Sequence, residues 1–110
     1  MVYSQRALDH SFRALAHPAR RRLVERLSRG PASVGAASRG LGLSKASVTK
    51  HVHVLEDAGL IARSVEGRTH TLSLRKPKLA VAADWLDAQR RLWESKLDTI
   101  EAMLDEERRR

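Results

Sequence analysis

The stretch from Ser44 to Ile61, SKASVTKHVHVLEDAGLI, constrains the fold of this chain more than any other. Ser44 carries the short, oxygen-bearing side chain that caps a helix N-terminus, and Gly59 suits the left-handed residue that stops one. Between them Val48, Val52 and Leu55 recur at i, i+4 and i+7, a narrow apolar stripe. The opposite face carries Lys45, Ser47, Thr49, Lys50 and His53. A helix divided in this way buries one side and offers a positive, donor-rich surface on the other. The partner that such a face fits is the major groove of duplex DNA.

The distribution of charge agrees. The 110 residues hold 21 Arg or Lys against 13 Asp or Glu, a formal net charge of +8. Residues 1–78 carry a net +10 and residues 79–110 a net −2, so the last quarter has another task. A chain of this length predicts one domain. Without cysteine, it has no disulfides, thiolate metal sites or cysteine-based redox sensing. No apolar run approaches the ~20 residues that span a bilayer. The start, MVYSQRALDH, lacks the apolar core of a signal peptide, and together these features predict a cytoplasmic protein.

The flanking pattern predicts the other elements. Ala7, Leu8, Phe12 and Leu15 have helical spacing over residues 4–16. His17-Pro18 interrupts them, and Pro18 suits the first turn of a second helix over 18–29. Ser33 caps a short third helix through Leu41, and Gly42 turns the chain into the Ser44 helix. Residues 33–58 thus read as a helix-turn-helix. After Gly59 the pattern alternates: Ile61, Arg63 and Val65, the turn Glu66-Gly67-Arg68, then His70, Leu72 and Leu74. Residues 60–75 therefore form a hairpin, placed as a wing. A long helix over 79–107 places Leu86, Trp93, Leu97, Ile100 and Leu104 on one stripe, widened by Trp85 and Leu92. The domain is too small to cover so long a stripe, so part of it should meet a second copy of the chain. The fold class is mostly α with a small β-hairpin wing.

In this order the motifs resemble the ArsR/SmtB family of bacterial transcriptional repressors. The pieces that carry the resemblance are Ala16-His17-Pro18-Ala19-Arg20-Arg21-Arg22-Leu23-Val24, Gly42-Leu43-Ser44, Val48-Thr49-Lys50-His51-Val52 and Leu55-Glu56-Asp57-Ala58-Gly59-Leu60-Ile61. Arg63 and Gly67-Arg68 fit the wing, and Trp93-Glu94-Ser95-Lys96-Leu97-Asp98 is similar to the tail of a metal-free branch. Ala37 departs from the larger aliphatic that relatives usually carry, and Leu72 from a frequent tyrosine. The resemblance implies a homodimer joined through the first and last helices, covering an inverted repeat of promoter DNA. The dimer-interface residues are then Leu8, Phe12, Leu86, Trp93, Leu97, Ile100 and Leu104.

The DNA-facing set is Ser44, Lys45, Ser47, Thr49, Lys50 and His53, with Arg63 and Arg68 from the wing. Lys50 could meet either a guanine edge or a phosphate. His51, beside the apolar stripe, reads as a core histidine hydrogen-bonded within the domain. Arg20, Arg21 and Arg22 oppose the dipole of the helix they open, which predicts for at least one of them an ion pair with a carboxylate such as Glu56 or Asp57, and leaves another to meet phosphate. Metal sensing is not expected: Val34 to Arg39 supply no cysteine, the last helix has no histidine, and the five histidines show no i, i+4 pair. No cofactor is implied. No phosphate loop or nucleophile elbow points to an enzyme. An alternative is a winged-helix module that binds protein or RNA. Against it, the exposed face between Ser44 and Asp57 has neither the aromatics of RNA readers nor an apolar patch.

Overall fold

The computed structural model describes residues 4–110. Helix α1 (Gln5–Leu15) is capped by Ser4, whose hydroxyl accepts the Ala7 N–H at 3.2 Å. His17, held extended by the proline after it, separates α1 from α2 (Pro18–Leu27). A two-residue strand β1 (Ala32–Ser33) leads into α3 (Val34–Ala37), and α4 (Lys45–Asp57) follows. Strands β2 (Ile61–Glu66) and β3 (Thr69–Leu74) form the wing, and α5 (Lys76–Arg108) ends the chain.

Both ends of α4 are fixed by local chemistry. Ser44 is extended, and its Oγ accepts the Ser47 N–H at 3.2 Å. At the other end Gly59 takes a φ of +75°, where its N–H reaches Glu56 O at 2.9 Å and the Leu60 N–H reaches Leu55 O at 3.0 Å. This bond pair closes a helix only through a left-handed residue, which is why glycine stands there. The inward stripe of α4, Val48, Val52 and Leu55, then docks against Ala14, Leu23, Leu27, Leu60, Ile61 and Leu72.

The sheet has the order β1-β3-β2, antiparallel throughout. Leu72 on β3 lies opposite Ala32 on one side and Arg63 on the other, and it is fully buried. The wing is thereby anchored in the core by an aliphatic side chain.

Several boundaries differ from the sequence reading. The second helix stops at Leu27, two residues early, with Ser28 as its cap. The third helix is only Val34–Ala37, with Ser38 as its cap, and does not reach Leu41; Gly40, with a φ of +85°, lies in the turn beyond it. Strand β1 was not anticipated, because two residues carry no periodicity. The last helix begins at Lys76, since Pro77 fits a first turn whose N–H groups need no helical partner.

Only the first turns of α5 touch the core, through Leu79 and Ala82. Beyond them the helix leaves the body. The radius of gyration is 19.5 Å, against about 13 Å for a compact chain of this length.

Candidate nucleic-acid interface

The exposed side of α4 brings Lys45, Thr49, Lys50 and His53 to the surface, with Ser44 at its cap and Ser47 half-buried beside them. Each hydroxyl has a defined role. Ser44 Oγ accepts from the Ser47 backbone and donates to Ser47 Oγ at 3.1 Å, so the Ser47 hydroxyl keeps its own proton to donate outward. Thr49 Oγ1 donates to Lys45 O at 2.9 Å, which leaves it outward lone pairs and a methyl group. Neither lysine has a carboxylate within 4.0 Å among the described residues, and both ammonium groups face solvent.

The wing residues divide. Arg68 is exposed at the tip of the hairpin. Arg63, expected on the DNA-facing surface, is half-buried: its guanidinium donates to Glu56 Oε1 at 2.7 Å and lies 3.0 Å from His70 Nδ1. It ties the wing to α4 and corrects the reading of a free surface cation. His53 Nδ1 stands 3.8 Å from the same Glu56 oxygen, at the junction of helix and wing.

Arg20, Arg21 and Arg22 correct the reading in another way. Among the described residues none has a carboxylate partner, and Glu56 is engaged by Arg63. Instead Arg20 donates to the carbonyls of Ala14 and Arg13, and Arg21 to that of Leu15, at 2.6, 3.1 and 2.8 Å. These carbonyls end α1, where a helix welcomes cations. The C-terminal end of one helix thus offsets charge that opposes the start of the next.

A basic groove of about 450 Å³ between α2 and α3 was missed by sequence reasoning. Its lining includes Arg22, Arg26, Arg29 and Arg39 with Glu25 as the acidic member. The 4-3 spacing of the first three along α2 is the signal that could have found it.

Along α5, Leu86, Leu92, Trp93, Leu97, Ile100, Met103 and Leu104 are each 49 to 67% exposed. Phe12 packs edge-on against Trp85, ring centroids 5.7 Å apart, and joins α1 to the base of this stripe. Leu8, assigned to an interface by sequence, is only 4% exposed and packs inside its own protomer. No group of three or more metal-ligating side chains occurs among the described residues.

Residues 15–64 match a helix-turn-helix domain family. The HTH-type transcriptional regulator Rv2034 of Mycobacterium tuberculosis is 34% identical over 102 residues, covering 93% of this chain and 92% of that protein. A crystal structure of the ArsR family transcriptional regulator RHA00566 superposes with a TM-score of 0.79 at 39% identity, over 86% of this chain and 98% of the other. The chain belongs to the ArsR family of transcriptional regulators. This ArsR-family protein is a DNA-binding regulator and not an enzyme. The transcriptional repressor SdpR of Bacillus subtilis is also similar, 25% identical over 79 residues that cover 72% of this chain and 88% of SdpR. No helix among the described residues of this ArsR-family chain is long and apolar enough to cross a membrane.

Proposed function

We propose that this ArsR-family regulator is a cytoplasmic homodimeric repressor that binds an inverted-repeat operator, one α4 helix entering each of two successive major grooves. The observation that carries the reading is the pairing of an exposed donor-rich α4 face with a long uncovered apolar stripe on α5. A soluble monomer rarely leaves so large an apolar surface open. Its burial against a second copy, through Phe12, Leu86, Trp93, Leu97, Ile100 and Leu104, gives the protein two-fold symmetry. A two-fold protein fits half-sites roughly 34–36 Å apart. The resemblance of SdpR, named a transcriptional repressor, supports repression by occupancy of the promoter.

Lys45, Ser47 and Thr49 face base edges in this reading, Ser47 as a donor and Thr49 as an acceptor or a methyl contact. Ser44, Lys50, His53 and the wing-tip Arg68 meet backbone phosphates, and Arg63 holds the wing in place. Lys50→Ala is expected to weaken binding to all duplexes alike and to lower the slope of log affinity against log salt by about one. A slope equal to that of the wild type with altered base preference would make Lys50 a base reader instead.

The test is fluorescence-polarisation binding to duplex from upstream of the protein's own gene, against a scrambled duplex of equal length, over a series of salt concentrations. Preference for the native duplex, with a footprint of two-fold symmetry, is the expected result. Equal, steeply salt-dependent binding to both would deny that this duplex holds an operator. Absence of binding to either would return the fold to the protein-interaction or RNA-binding reading.

A further inference from the structure

We propose that Arg20 and His51, backed by His17, form a clasp that positions α4 for DNA and opens in acid. The inference rests on the reading of α4 as the DNA-facing helix.

One guanidinium joins three elements. Arg20 Nε and Nη2 hold the last carbonyls of α1, those of Ala14 and Arg13. Arg20 Nη1 lies 3.2 Å from Nδ1 of His51 on α4. A guanidinium has donors and no acceptor, so His51 must present a lone pair at Nδ1 and carry its proton on Nε2. An imidazolium has no lone pair left. The bond between α2 and α4 therefore exists only while His51 is neutral.

The surroundings favour that state. The ring of His17 packs against His51 with centroids 4.3 Å apart, and His17 Nδ1 accepts the Ala19 N–H at 3.1 Å. The titratable and charged groups that act on His51 are His17 and Arg20 from the α2 side and Lys50 from its own helix; none is an anion. Burial first, with the charges of Arg20 and Lys50 adding to it, holds the His51 ring below the ordinary histidine value of 6.5. A histidine depressed in the folded state binds protons more readily in the unfolded chain. Its contribution to stability is therefore complete above the ordinary value and declines as pH falls below it, down to the depressed one. The clasp is closed at neutral pH and opens in acid.

The consequence for function follows from where the clasp lies. It fastens α4, between Lys50 and Val52, to the end of α1, the helix that carries Phe12 toward the proposed two-fold seam. A small tilt of α4 in each protomer alters the spacing between two helices that must enter two grooves together. Arg20 thus acts on DNA through His51, as a positioning residue.

The test follows binding of the wild type, His51→Gln and Arg20→Gln to the upstream duplex from about pH 7.5 downward, past the ordinary histidine range, to the lowest pH at which all three stay folded. Thermal melts at each pH set that limit. Glutamine keeps an acceptor for Arg20 and does not titrate, and the other histidines, His17 and His53 included, are present in all three proteins. The wild type is expected to lose roughly tenfold more affinity in acid than His51→Gln. Arg20→Gln should already bind weakly at neutral pH and respond less to acid. Matching pH profiles for the wild type and His51→Gln would overturn the clasp, as would wild-type affinity in a folded Arg20→Gln protein. Imidazole ¹⁵N shifts of the wild type supply a check free of substitutions: at neutral pH they should show His51 protonated at Nε2, and a proton at Nδ1 would overturn the assignment. A wild-type protein that binds no duplex at neutral pH would remove the DNA reading, and with it this use of the clasp, before any variant is compared.

Discussion

Leu97→Glu is expected to leave a folded monomer that binds operator DNA roughly 10²–10⁴-fold more weakly than the wild type. Leu97 lies midway along the α5 stripe, 51% exposed, with Trp93 before it and Ile100 after it. The core ends at Ala82, far down the helix, so the substitution removes no packing from the winged domain. In a symmetric seam each copy meets its equivalent, and the change places two carboxylates where apolar side chains should close together. Two like charges taken from water into one apolar contact have no compensating partner there. Arg90, two turns before Leu97 on the same side of the helix, is already engaged by Asp87 and Glu94 at 2.7 and 2.9 Å.

The loss of affinity would come from valency rather than from the DNA-facing surface. Each protomer keeps its α4 and its wing, so half-site contacts survive, but the second half-site is no longer held at high effective concentration. Sedimentation velocity and polarisation binding measure the two consequences together. A protein that sediments as a dimer after Leu97→Glu would place the seam elsewhere. A monomer that still bound the full operator at wild-type affinity would show that one protomer suffices.

How much of this was legible in the sequence depends on how local each determinant is. The α4 helix was readable because its cap at Ser44, its stripe and its stop at Gly59 all lie within it. The wing was readable for a similar reason, since alternation on both sides of Gly67 is a short-range signal. Strand β1 was not, because Ala32 and Ser33 become a strand only when Leu72 and Thr71 arrive beside them from forty residues further along. The shortening of the third helix lies between these cases: Gly35 and Gly40 weaken it visibly, but no local signal marks Ala37, buried in the core, as its last residue.

The site divides along the same line. Which side of α4 faces outward follows from the stripe alone. The partners of Arg20, Arg21 and Arg63 do not, because the five donors of an arginine can be met by carbonyls, an imidazole or a carboxylate. The sequence did hold one unused clue. Arg20 and Arg21 come five and six residues after Leu15, the end of α1, so a tight turn brings them back to the helix terminus that most favours cations. Leu8 shows the opposite limit, since helical spacing marks a residue as inward-facing without saying whether the inside is the protomer or the dimer.

Leu55→Ala is expected to cost about 2–5 kcal/mol, the range for deleting most of a buried leucine side chain. Leu55 is fully buried on the inner face of α4 and lies in the same core as Leu23, Leu60 and Leu72. Its carbonyl also accepts the Leu60 N–H that closes the helix, so the side chain sits where α4 ends and the wing begins. A domain of this size is stable by roughly 5–15 kcal/mol, so the loss is a large fraction of the total. Ser44→Ala, which removes the cap at the other end, should cost only about 1 kcal/mol. Urea denaturation followed by circular dichroism separates the two: the midpoint should fall steeply for Leu55→Ala and slightly for Ser44→Ala. Equal midpoints for Leu55→Ala and wild type would mean that α4 is held to the body by something other than its apolar stripe. DNA binding by Leu55→Ala should weaken in proportion to the unfolded fraction and recover on cooling or at lower urea, whereas a direct contact residue such as Lys50 would show a deficit that no change in stability repairs.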